Sequence, residues 1–155
     1  MNQNSVSGDI VDLKLRQMGA TNISRLRSNM YIVKFQLENG IVVSYVFNIT
    51  KHDKYFLQRM QPYAMVQGKY ADTQEITQFI AEDLRHFRNA EKSHNFEEFL
   101  EISRKSLQLA QEVENVFLHY NVDKALLDEM LGHLDHMMGH LAEVRQQYKP
   151  VVPKE

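Results

Sequence analysis

Residues 96–148 read FEEFLEISRKSLQLAQEVENVFLHYNVDKALLDEMLGHLDHMMGHLAEVRQQY, and their apolar spacing decides how the chain is organised. Phe99, Ile102, Ser106, Leu109, Val113, Val116 and Tyr120 follow alternating steps of three and four. Leu127, Met130, Leu134, Met137, Leu141, Val144 and Tyr148 repeat those steps after a short break. Such spacing lines one side of a helix with a single apolar stripe. If the chain reverses at Asn121–Val122, the two sets face each other layer by layer, from Tyr120 against Leu127 to Phe99 against Tyr148. The pattern predicts an antiparallel helical hairpin over 96–148. Asn95 with Glu98 forms a capping pattern before its first helix, and Asp123 caps its second.

Upstream, Asp72 with Glu75 opens a helix over 73–91 that carries Ile76, Phe79, Ile80, Leu84 and Phe87 at helical spacing. Before it lies a strand-rich region. Met30–Glu38 and Ile41–Ile49 are β-branched and aromatic, and Asn39-Gly40 between them signals a hairpin. A two-residue turn pairs Leu37 with Val42, Phe35 with Ser44 and Val33 with Val46. The returning strand is apolar on both faces, so it is expected in mid-sheet and covered on both sides. A third strand over Tyr55–Met60 stops at Pro62, Thr21–Arg27 offers a short edge strand, and 61–71 reads as a loop. A helix over 9–18, capped by Asp9 and ended by Gly19, precedes the sheet.

The expected class is therefore α+β: a small antiparallel sheet with an N-terminal helix, then a long antiparallel helical hairpin plus one further helix. The regions are 1–71, 72–148 and a frayed tail over 149–155, expected to form one compact unit. Helix, strands, helix resembles in outline the double-stranded-RNA-binding domains. That family's basic helix start and Gly-Pro loop are absent, so no function is carried over.

The chain has 155 residues and no cysteine, which removes disulfides, thiol catalysis and cysteine metal ligands. Its start is polar and no apolar run approaches the roughly 20 residues that cross a bilayer, so a cytoplasmic protein without membrane partners is expected. The net charge of -2 hides an asymmetry. Nine Lys/Arg against four Asp/Glu fall in residues 1–70, and nine against 16 in residues 71–155. Halves of opposite sign attract each other, within a chain or between chains.

Three clusters are candidate sites. His133, His136 and His140 with Glu129 and Glu143 line one flank of the last helix, and the hairpin register brings Glu112 opposite His133. His136 and His140 have the spacing of paired imidazole ligands. Glu129 to His133 is one residue longer than the Glu-x-x-His of di-iron bundles, and a packing role on the helix flank is favoured. Arg25, Arg27, Lys51, Lys54 and Arg59, among tyrosines, are the raw material of a nucleic-acid face, without any recognised motif. Ala125, Gly132 and Gly139 form a stripe of small residues on the last helix, and Leu118 widens the apolar arc of its neighbour, so these four mark an interface. No phosphate-binding glycine loop or nucleophile elbow occurs. The sequence thus reads as a non-catalytic interaction or adaptor module without a cofactor, a homodimer through its C-terminal helices with an unidentified protein partner. Nucleic-acid binding and metal binding stand as alternatives.

Overall fold

The Asn39-Gly40 turn organises the sheet, in a register one residue away from the expected one. The computed structural model describes residues 3–24, 28–50 and 54–151. The elements are α1 (Gln3–Gln17), β1 (Ser28–Gln36), β2 (Val42–Thr50), β3 (Tyr55–Gln61), β4 (Met65–Tyr70), α2 (Thr73–Ala90), α3 (Phe96–His119) and α4 (Lys124–Gln147). The four strands form an antiparallel meander in the order β1-β2-β3-β4. The α+β class is as expected.

Leu37 N–H donates to Ile41 at 2.8 Å and Gly40 N–H to Leu37 at 3.1 Å, so the loop holds three residues, with Gly40 at φ +86°. This is the longer hairpin loop with a glycine bulge, and only glycine takes that conformation cheaply. Asn39 Oδ1 accepts from Ile41 N–H and fixes it. Gln36 therefore pairs with Val42, Phe35 with Val43 and Val33 with Tyr45. A one-residue shift exchanges the faces. Val33 and Phe35 thereby join Val43, Tyr45, Leu57 and Arg59 on the inner face.

Residues 65–70, expected as loop, form β4. Gly68 and a register shift opposite Leu57/Gln58 interrupt its alternation, which hid the strand. Residues 21–24 belong to no strand, and the rest of that proposed edge strand lies outside the described residues. The first helix begins earlier than expected, and Asp9 lies inside it rather than capping it. Its end is as read: Gly19, at φ +95°, and Ala20 donate to Arg16 and Leu15.

α2 lies against β3 and β4. Asp72 accepts from Glu75 N–H at 2.8 Å, and the Glu75 carboxylate accepts from Ala71 N–H at 2.8 Å. Ile76, Leu84 and Phe87 are buried, completing a core with Val43, Tyr45, Tyr55, Leu57 and the start of α3, Phe96 and Leu100. β2 lies in mid-sheet, and its described residues are buried or half-buried, Ser44 on the outer face being 2% exposed, whereas on that face the edge strands β1 and β4 are open. Met30, Ile32 and Val66 are more than 60% exposed there.

Candidate functional site

Strand alternation in β3 points Tyr55, Leu57 and Arg59 inward, so a guanidinium enters the core. On α2, Asp83 falls among the apolar positions Phe79, Ile80, Leu84 and Phe87 and meets it. Arg59 Nη1 donates to both Asp83 oxygens at 2.9 and 2.8 Å, and the Tyr45 hydroxyl donates to Asp83 at 2.7 Å. The guanidinium carbon lies 4.6 Å from the Tyr63 ring centre and 4.8 Å from that of Phe87. Burial, then the hydrogen bond and charge of Asp83, push the Tyr45 phenol far above its usual pKa.

This pairing is incomplete. Arg59 is 4% exposed, Nη2 reaches only the Met65 thioether at 3.6 Å, and Nε has no partner among the described residues. Leaving a buried donor unsatisfied costs about 1–3 kcal/mol, and more for a charged group. Beside it opens a cleft of about 340 Å³ between β3–β4, α2 and the first turns of α3, walled by Tyr63, Phe79, Phe87 and Phe99. The volume lies within the small-molecule range. Sequence reading missed this cleft by assigning Arg59 to an exposed basic face. The signal was present: an inward phase for Arg59 in its strand and an apolar-face phase for Asp83 in its helix.

The second feature is the arm that follows Leu100. At about 1.5 Å per residue, α3 and α4 are each about 36 Å long. Asp123 caps α4, accepting from Leu126 N–H at 2.9 Å. Asn95 precedes α3 but makes no side-chain cap, and its N–H donates instead to Ser93 Oγ. The expected seam does not close within the chain. Val113, Val116, Leu127, Met130 and Val144 are half-buried, whereas the exposed members include Leu134 at 39% and Tyr148 at 70%. α2 does not complete a three-helix bundle either, since it serves the sheet and Leu107, Phe117 and Leu118 stay exposed. A compact monomer of 18.2 kDa exposes about 8,100 Å²; this chain exposes 13,008 Å².

Among the described residues, no three His, Asp or Glu side chains converge to hold a metal ion. His136 and His140 share a shallow depression with Gly139 and Glu143, while Glu112 lines a groove at the α3–α4 turn with Val116, Tyr120 and Leu126. His133 and Glu129 are exposed on α4. Of the proposed nucleic-acid residues, Lys54 is exposed, Arg59 is buried in its ion pair, and Arg25, Arg27 and Lys51 lie outside the described residues. Ala125, Gly132, Gly139 and Leu118 are all exposed, and a Cβ at either glycine would meet nothing within 4 Å. None of the described helices is long and apolar enough to cross a membrane. Comparison with protein-family models, curated proteins and solved structures finds no match.

Proposed function

We propose that this protein is a non-catalytic interaction module that self-assembles as a homodimer through α3 and α4. The exposed seam is the observation that supports this reading most. Two helices built to bury matching apolar layers leave most of those layers in water. The layers that fail to meet within one chain are complementary, so α3 of one copy can serve α4 of another, and the reverse, in an isologous pair. The exposed seam residues, among them Ile102, Leu109, Leu134, Met137 and Leu141, supply the apolar surface such an interface needs. The small-residue stripe at Ala125, Gly132 and Gly139, with Leu118, provides a place for close backbone approach across the assembly.

Native mass spectrometry of the full chain tests this, together with melting at several protein concentrations. A dimer whose melting temperature rises with concentration is expected. Leu134→Asp combined with Met137→Asp is expected to yield a monomer with the sheet core intact. A monomer at high concentration, with a melting temperature independent of concentration, would sink the reading.

A further inference from the structure

We infer that the cleft between β3–β4 and α2 binds an uncharged aromatic ring carrying one hydrogen-bond acceptor, of the phenol or aryl-carbonyl type. Three observations converge on that chemistry. The walls are rings: Tyr63 packs edge-on to Phe99 at 5.9 Å and tilted to Phe87 at 6.3 Å, so a flat guest finds faces and edges to pack against. The buried guanidinium that lines the cleft has donor capacity left, because Nη1 is taken by Asp83 while, among the described residues, Nη2 meets only a thioether and Nε has no hydrogen-bond partner. A guest oxygen within reach of Nη2 would replace a weak acceptor with a strong one. Met65 is 45% exposed on β4, and its unbranched side chain can swing aside to admit that oxygen.

Charge selects the class. Asp83 already neutralises Arg59 through both of its oxygens. A guest carboxylate on the same guanidinium would stand close to Asp83 with like sign, in a site walled mainly by apolar surface, where such repulsion is poorly screened. A neutral acceptor satisfies the donor without that repulsion. Phe99 belongs both to this cleft and to the seam of the arm, whereas Arg59, Asp83, Tyr63 and Phe87 lie outside the seam, so the donor and two of its rings do not depend on the dimer reading.

The test is a titration of the full-length protein with p-cresol, followed by the Arg59 Nε–H and Ala90 amide resonances. Saturable shifts at both are expected. Ala90→Leu narrows the cleft without touching the Arg59–Asp83 pair, and should weaken binding about tenfold or more while the melting temperature shows a folded protein. The charged counterpart, p-toluate, should bind about tenfold more weakly than p-cresol. Absence of saturable shifts with p-cresol, or equal binding by the Ala90→Leu variant, overturns the site. Tighter binding of p-toluate overturns the neutral class. N-acetyltyrosinamide separates two sources of the same chemistry. Tighter binding than p-cresol identifies a tyrosine side chain on a polypeptide, and weaker binding identifies a free aromatic molecule.

Discussion

Asp83 joins three parts of the inner structure, taking the Tyr45 hydroxyl from β2 and the Arg59 guanidinium from β3 onto α2. Removing one member of a buried ion pair strands the other, and the cost is that of an uncompensated charge. Asp83→Ala is therefore expected to lower stability by about 3–5 kcal/mol in urea unfolding. Arg59→Met together with Asp83→Leu should recover the part of that loss due to the stranded charge, because an apolar pair of similar volume carries none, while the Tyr45 hydroxyl, left without its acceptor, retains about 1–3 kcal/mol of it. If the double variant is as unstable as Asp83→Ala, the pair holds the fold through geometry rather than through charge balance. Sequence alone left Arg59 ambiguous, since basic residues are mostly at surfaces and one strand's alternation is short. The decisive partner is 24 residues away. Only the packing of α2 on the sheet brings it within reach.

At the level of elements, three of the local signals with their own hydrogen-bonding chemistry were legible, while the caps read at Asp9 and Asn95 did not form. The Asp72–Glu75 start, the Asp123 cap and the Gly19 stop all involve partners within a few residues. The register of the Asn39-Gly40 hairpin was not, because two- and three-residue loops use the same residue pair and differ by one in which residues pair. β4 was hidden for a different reason: Pro62, Gly68 and a bulge erase the alternation that announces a strand. The two helix starts of the arm now differ in a testable way. Asp123→Ala should cost about 1 kcal/mol and reduce amide-exchange protection in the first turn of α4. Asn95→Ala should change stability by less than about 0.5 kcal/mol, because Asn95 makes no side-chain cap. Equal effects at the two sites would contradict that difference.

For the molecule as a whole, the fold class could be read from the chain because periodicity switches from two to three-and-four at a sharp boundary near residue 72. The closure of the arm could not. A heptad stripe states that a partner helix is wanted, and it is silent on whether that helix lies in the same chain or another. The strand order has its own consequence for the time course of folding. Every strand pairs with its neighbour in sequence, so the sheet requires only short loops to close, and such topologies form quickly. The arms, if they meet between copies, must wait for a second molecule. Refolding followed by stopped flow should then show a rapid phase independent of concentration as the sheet and α2 form. A slower phase, with a rate that rises with protein concentration, should follow as helical signal is gained. A single concentration-independent phase would place the closing of the arm within one chain. On the two-phase course, newly made chains pass through a period with a finished sheet and open arms. The length of that period is set by how many copies are nearby.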